Sequence, residues 1–285
     1  MANPDGMQSR NPVLNREFSD PSRYAAFGTQ TADAATLQQQ YEVPTVEATD
    51  DRMTVQDVVV KTTILFAILL PMAVVGWNAA PDYPMLVWGA MLVGLGLGLA
   101  NAFKRSVSPQ LIMLYALVQG VFLGGISRWY NQMSGTESFT VNDAGQTVQG
   151  ENIVGQAVLG TLVAFGVMLA LYTSGKLRAT PRFQKMMMVA MVSYLAIAVM
   201  SLVSSFFGVG EGWGFYGVGG LGILLCVAGV GLAAFSLVLD FDMIEKGAAY
   251  GLPQRESWRA SFGLMVTLIW LYLELLRLLA ILQRN

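Results

Sequence analysis

Seven long apolar runs dominate the sequence and limit the folds open to it. They cover residues 56–78, 84–103, 109–130, 152–174, 185–207, 214–241 and 258–282. Each is close to the roughly 20 residues that a helix needs to cross a bilayer. Because lipid offers the backbone no hydrogen bonds, each run must satisfy its own as a helix. The sequence therefore predicts an all-α membrane protein, a bundle of seven transmembrane helices.

The low charge content supports a membrane environment. Charged residues make up 13% of the 285 residues and hydrophobic residues 54%, whereas a soluble domain carries about 25% charged residues. The formal net charge is −2, and the basic residues stand singly or in short clusters, so we expect no nucleic-acid partner. The excess apolar surface must face lipid, which makes the bilayer the first predicted partner.

The absence of histidine excludes several kinds of chemistry. The sequence has no histidine and one cysteine, Cys226. It therefore lacks the commonest metal ligand, a disulfide framework, and the Ser-His and Cys-His nucleophile pairs. Intramembrane aspartyl catalysis would need two aspartates that meet at depth, and Asp240 and Asp242 lie near one end of a span. We expect neither an enzyme nor a bound cofactor.

The beginning of the chain differs in composition from the rest. Residues 1–53 are rich in Asn, Gln, Ser, Thr, Asp and Pro and show no sustained apolar period, a composition typical of disorder. The sequence predicts a disordered cytoplasmic tail over 1–53 and a transmembrane domain over 54–285. Such a tail also suits docking to a membrane-protein partner.

The basic residues of the loops indicate an orientation. With the N-terminus inside, the cytoplasmic loops hold most of them, while "NAAPDY" and "GVGEGWG" on the other side hold none. The positive-inside rule then predicts a cell-membrane protein with a cytoplasmic N-terminus and an external C-terminus. The predicted cytoplasmic residues are Lys104, Arg105, Lys176, Arg178, Arg182, Lys185, Lys246, Arg255 and Arg259.

Few ionisable groups lie within the predicted spans, and a functional role is the default hypothesis for them. Glu274 and Arg277, in the last span, are three residues apart and share one helix face. We interpret them as a structural ion pair, with a direct role in a permeation path as the alternative. The other polar groups within the spans include Asp240, Asp242, Gln119, Gln156 and Thr267.

Asp240 and Asp242 stand at the end of the sixth span. Because they are two residues apart on a helix, their side chains point about 200° from each other. One should face the bundle and the other solvent or a neighbouring helix. Acids at a helix C-terminus oppose the macrodipole and are locally unfavourable. We therefore keep two alternatives of equal weight, a functional role for these acids and an ordinary solvated helix end. Lys246 follows on the predicted loop, and Lys104 and Arg105 are candidate partners from the second span.

Three stretches resemble one family of membrane proteins. The stretch "LVLDFDMIEKGAAYGLPQRESWRASFGLMVTLIWLYLELLRLLAIL" is similar to the C-terminal signature of the transmembrane Bax-inhibitor-motif family, in its bacterial branch. "LYALVQGVFLGGISRWYN" and "VGQAVLGTLVAFGVMLALYTSGKLRATPRF" resemble the family as well, and the resemblance spans about residues 56–282. It implies a compact bundle of seven helices in which the last helix is surrounded by the others.

The resemblance also implies a function. The family is associated with a pH-sensitive Ca²⁺ leak, controlled by a carboxylate on the sixth helix, another on the seventh and a basic latch from the second. "DFDMI" is similar to the family's Asp-Thr-Gln-x-Ile, with Asp240 at the carboxylate and Asp242 in the Gln place. Thr267 stands where the seventh-helix carboxylate is usual, and Gln119 where Glu is common. Glu274 lies two turns beyond Thr267, roughly 10 Å along the helix, too far to share a proton with Asp240.

We therefore expect a multi-pass membrane protein that acts as a pH-sensitive cation leak, with Ca²⁺ as the transported ion rather than a cofactor. The alternative is a non-conducting regulator that binds another membrane protein, such as a membrane protease. In the first case, protonation at the cytoplasmic gate would control the leak. The expected residues are Asp240 and Asp242 as gate and Ca²⁺ ligands, Thr267 and Glu274 as further ion-binding groups, and Lys104 or Arg105 as the latch.

Overall fold

Seven α-helices long and apolar enough to cross a membrane run through the part of the chain that the structure describes. The structure is a computed structural model, and it describes residues 52–133, 139–141, 147–149, 152–212, 214–217 and 219–284. The all-α class is confirmed, while all but the last two residues of the predicted tail, 1–53, lie outside the described residues. The helices are α1 Val55–Ala79, α2 Pro84–Phe103, α3 Pro109–Met133, α4 Ile153–Thr173, α5 Pro181–Phe206, α6 Gly219–Ala249 and α7 Glu256–Arg284.

Local chemistry explains where several helices begin. The Thr54 hydroxyl accepts a hydrogen bond from the Asp57 backbone N–H at 3.0 Å, and the Asp57 carboxylate accepts one from Thr54 in return, which is a capping box. Asn152 caps α4 in a similar way. The helices α2, α3 and α5 each begin at a proline, whose fixed φ and missing N–H suit the first turn. The first and last residues of six of the seven predicted spans agree with those of the helices to within four residues.

The sixth helix differs most from the prediction. It begins at Gly219 rather than 214, because two 3₁₀ turns, Val209–Gly212 and Gly214–Gly217, precede it. It continues to Ala249, so Lys246 lies in its last turn and not on a loop. Asp240 is therefore more than two turns from the C-terminus, and the predicted conflict with the helix dipole, which acts within the last turn, was wrong for it.

A short hairpin joins α3 to α4. Strand β1, Phe139–Val141, pairs with β2, Thr147–Gln149, in antiparallel register, with Phe139 opposite Gln149. The amino-acid sequence predicts no strand in this polar stretch, because three residues are too few to show an alternating pattern.

The last helix lies at the centre of the bundle. α7 packs against α1, α3, α4 and α6, and Met265, Leu271 and Leu276 along it are fully buried. The peripheral helices are α2, which packs mainly on α3, and α5, which packs on α6 and the two 3₁₀ turns. This agrees with the expectation that the other helices surround the last one.

The bundle has two ends, which carry different polar groups. We call the end where α6 finishes and α7 begins the Asp240 end, and the opposite one the Arg277 end. The chain enters α1 at the Asp240 end, where the Met53 N–H donates to the Leu252 carbonyl at 2.7 Å. The Met53 side chain is buried against Gly247, and Arg52 forms an isolated bridge with Pro253. The start of the transmembrane domain is thus attached to the α6–α7 connection.

The contact between α1 and α3 is a contact between backbones. A Cβ added at Gly120 would collide with the Leu69 carbonyl, and one at Gly124 with the Ala73 carbonyl. Both oxygens belong to the α1 backbone and cannot rotate away. Small residues that bring two helices this close are a common device in membrane bundles.

We expect Gly124→Ala to lower the stability of the protein by about 1–3 kcal/mol, the usual cost of overpacking. The matched control is Gly96→Ala on α2, where an added Cβ would have no atom within 4 Å. Thermal unfolding of both variants in detergent micelles checks this. An equal melting temperature for the two variants would contradict the backbone contact.

Candidate functional site

Asp240 lies on the face of α6 that packs against the central helix. A Cβ at Gly263 of α7 would lie 3.7 Å from Asp240 Oδ1, so the carboxyl group packs directly beside this turn of α7. Thr267, one turn further along α7, lies beside the Asp240 carboxyl group. Asp240 Oδ2 is buried and has no hydrogen-bond partner within the described part of the chain. A buried polar atom of this kind is costly unless something satisfies it.

Asp242 faces a different neighbour. Its carboxylate accepts hydrogen bonds from Lys246 Nζ at 2.7 Å and from Gln184 Nε2 of α5 at 3.3 Å. The predicted divergence of the two aspartates is therefore present, with Asp240 against α7 and Asp242 towards α5. Asp242 is thus paired with the Lys246 ammonium group on a different face of α6 from Asp240, and the role of the two aspartates as Ca²⁺ ligands stays a prediction. Among the described residues, no three acidic or cysteine side chains form a metal cluster.

Thr267 occupies the position opposite Asp240. It is buried, and it stands where the resemblance implies a second carboxylate. The structure therefore pairs a hydroxyl with a carboxyl group at this point of the α6–α7 contact. A hydroxyl can donate to a carboxylate or accept from a carboxylic acid, so this pair is compatible with both protonation states of Asp240.

Glu274 belongs to a separate polar cluster nearer the Arg277 end. Its carboxylate accepts hydrogen bonds from Tyr194 Oη at 2.8 Å and Trp270 Nε1 at 3.1 Å, and Arg277 Nη1 lies 3.2 Å from Oε2. Glu274 is only 3% exposed. A Cβ at Gly229 of α6 would lie 2.8 Å from Oε2, so α6 closes over the carboxylate. The predicted ion pair of Glu274 with Arg277 is confirmed, and the structure does not bring Glu274 to Asp240.

Two tyrosines also belong to this cluster, and sequence reasoning missed both. Tyr216, in the second 3₁₀ turn, donates its hydroxyl hydrogen to Tyr194 Oη at 3.0 Å. The Arg277 guanidinium carbon lies 4.5 Å from the centre of the Tyr216 ring, a distance typical of a cation–π contact. Only Trp270, four residues before Glu274, could have been found from helical spacing.

The expected latch is not formed. Lys104 and Arg105 are exposed, and no ion pair joins either of them to Asp240 in the described part of the chain. Their backbone carbonyls instead accept hydrogen bonds from Arg259 Nη2 at 3.2 and 2.9 Å, and Arg259 also pairs with Glu256 at 2.8 Å. The reason is packing, because α2 lies on α3 and its C-terminus meets the start of α7 rather than α6.

The remaining predicted polar residues lie away from the centre of the bundle. Gln119 of α3 faces α2, where its Oε1 would lie 2.7 Å from a Cβ at Gly94. Gln156 is half-buried in the first turn of α4, so it is not at mid-depth.

The fold and these groups define a multi-pass helical membrane protein with an enclosed carboxyl group near one end of its bundle. The family model described as Bax inhibitor 1 like matches residues 11–284. This is nearly the whole sequence, so the chain belongs to the Bax inhibitor 1 like family, and the resemblance at family level is confirmed. No curated protein matches the chain.

We expect Glu274→Gln to destabilise the protein, because it leaves the Arg277 guanidinium without its carboxylate. Breaking a buried pair in this way costs about 3–5 kcal/mol. Glu256→Gln is the control: it breaks a pair of the same spacing on the same helix, Glu256 with Arg259, whose side chains are 28% and 41% exposed. An exposed pair contributes about 0–1 kcal/mol. Unfolding in detergent compares the two variants, and equal losses would contradict a buried structural pair.

Proposed function

We propose that this protein is a pH-sensitive cation leak that passes Ca²⁺ across a cell membrane. In this proposal, protons and cations bind the same group, the Asp240 carboxylate. In this proposal the N-terminus and the Asp240 end are cytoplasmic, as the distribution of basic residues predicts. The observation that carries the proposal is the half-buried Asp240 side chain, with one carboxyl oxygen buried and unpartnered among the described residues and Thr267 of the central helix beside it.

The chemistry of a buried carboxyl group supports this function. Such a group is satisfied either by a proton or by a cation, and hard cations such as Ca²⁺ take oxygen ligands. Asp240 and the Thr267 hydroxyl provide oxygen atoms of this kind at one place. Because protons and cations compete for the same carboxylate, the occupancy of this place depends on pH.

A single carboxylate also suits a leak better than a storage site. Conduction requires that an ion bind well enough to enter and weakly enough to leave. Asp240 faces a hydroxyl and not a second acid. The site therefore offers a divalent ion one negative charge, where a pair of carboxylates would offer two. We infer weak binding and rapid release.

We expect Asp240→Asn to lower Ca²⁺ flux at neutral pH by about tenfold and to flatten its pH dependence. A tenfold loss corresponds to about 1.4 kcal/mol of ion interaction, a modest value for one carboxylate. Flux into proteoliposomes, followed with an enclosed Ca²⁺ dye across a pH series, checks this. Asp242→Asn is the matched control, because Asp242 is occupied by Lys246, and it should keep the pH dependence.

We expect Thr267→Asp to strengthen Ca²⁺ dependence, because it places a second carboxylate opposite Asp240. Two carboxyl groups this close titrate as a coupled pair, so the pH profile of the flux should gain a second step. Thr267→Asn, of similar size and without charge, is the control. A one-step profile in Thr267→Asp would show that the two positions do not act together.

A non-conducting regulator is the second candidate, and the Glu274 cluster favours it. The hydrogen bonds of Glu274 with Tyr194, Trp270 and Arg277 fill the α6–α7 contact between Asp240 and the Arg277 end. If proteoliposomes with the wild-type protein pass no more Ca²⁺ than empty ones, the leak is refuted. Pull-down of membrane proteins with the full chain and with a chain lacking residues 1–53 then tests the regulator.

A further inference from the structure

We propose that the cavity at the Arg277 end is a binding site for a phosphate-bearing anion, such as the headgroup of an anionic lipid. This inference does not depend on the proposed leak. It would hold equally for a protein that conducts no ions.

The cavity has a size suited to a small ligand. Its volume is about 590 Å³, and its walls come from the α1–α2 connection, the start of α2, the last turns of α3 and the α7 turn that carries Arg277. Sites for small molecules usually measure about 300–1,000 Å³. A phosphate with part of an attached headgroup fits such a space.

Two guanidinium groups give the cavity its chemistry. Arg128 and Arg277 both line it, and none of the lining residues that the structure describes is Asp or Glu. The Arg277 side chain contacts Glu274 on one side and remains 26% exposed. The Arg128 guanidinium carbon lies 5.5 Å from the centre of the Trp77 ring, a stacking that orients it. The planar fork of arginine matches phosphate oxygens better than an ammonium group does.

The start of α2 adds to the positive potential. Pro84, its first residue, is part of the cavity wall. The helix has no acidic residue in its first turn, and Tyr83 before it makes no side-chain capping hydrogen bond. The N-terminal end of a helix carries a partial positive charge; here Pro84 has no N–H and the Leu86 N–H donates to the Tyr83 carbonyl at 2.9 Å, so the contribution is that of the helix dipole. A single helix end would not define a site, but here it faces the same cavity as the two arginines.

The surroundings of the cavity favour a lipid as the source of the phosphate. Trp88 and Trp129 line it, with rings 6.3 Å apart in an edge-on arrangement, and they remain 51% and 44% exposed. Tryptophan at this exposure is typical of the headgroup level of a bilayer. Leu92, Leu95 and Leu99 follow on α2 and are more than half exposed. They offer an apolar surface for acyl chains beside the cavity.

The test measures binding of three probes to the purified full chain in a non-ionic detergent. The probes are a short-chain phosphatidylglycerol, the phosphatidylcholine of the same chain length, and inorganic phosphate. Tryptophan fluorescence reports binding near Trp88 and Trp129, and native mass spectrometry counts bound molecules. We expect saturable binding of phosphatidylglycerol, with an affinity at least tenfold higher than that of phosphatidylcholine.

Variants assign the binding to this cavity. Arg128→Gln should weaken phosphatidylglycerol binding at least tenfold, and Arg128→Lys, which keeps the charge and loses the fork, should weaken it less. Arg255→Gln, an exposed arginine at the Asp240 end, should leave it unchanged. If Arg128→Gln does not fold, Arg128→Lys and the comparison of the three probes on the wild-type protein still test whether the cavity binds the anion.

Each outcome has a defined meaning. Saturable inorganic phosphate binding that depends on Arg128 supports the same chemistry with a soluble source in place of a lipid. Equal affinity for the two lipids overturns the proposal, because charge is then not recognised. No saturable binding of any probe overturns it as well, and so does an Arg128→Gln variant that binds like the wild-type protein.

Discussion

The structure depends on enclosing one helix that lipid would not tolerate alone. α7 carries Thr267, Glu274 and Arg277 along faces that lie within the bundle, and an isolated carboxylate or guanidinium in hydrocarbon is costly. Four helices pack directly on α7, and α5 reaches Glu274 through Tyr194. The more uniformly apolar helices surround α7 and face the lipid, and they thereby shield the polar side chains of α7 from it. Both polar places, at Asp240 and at Glu274, lie along the contact of α6 with α7.

The two ends of the bundle differ in the polar groups that they enclose, and this bears on any ion path. The Asp240 end presents an enclosed carboxyl group, while the cavity at the other end is lined by Arg128 and Arg277. A lining of arginine repels cations and attracts anions. Glu274 pairs with Arg277 and offsets part of this charge, so the cavity is a less favourable exit for a cation but is not closed to one.

The sequence predicts most of the helices because lipid makes hydrophobic length nearly equal to helix length. It does not predict the end of α6, because a helix continues past its apolar run where charges can pair, as Lys246 does with Asp242. The divergence of Asp240 and Asp242 follows from helix geometry alone. The place of Thr267 opposite Asp240 came from the resemblance to the family. The contacts of Tyr194 and Tyr216 with the Glu274 cluster, and the failure of the Lys104 latch, depend on which helices become neighbours, and no local pattern encodes that.

The glycines at the α1–α3 contact bear on how the bundle can move. Because Gly120 and Gly124 bring two backbones together, α1 and α3 cannot slide or separate by side-chain rearrangement alone and so behave as one rigid body. α5 meets the rest through α6 and two short turns, and its backbone contact is with the second of these turns, where a Cβ at Gly214 would collide with the Ser201 carbonyl. An opening that preserves the fold would therefore keep α1 and α3 together and displace the peripheral helices around them.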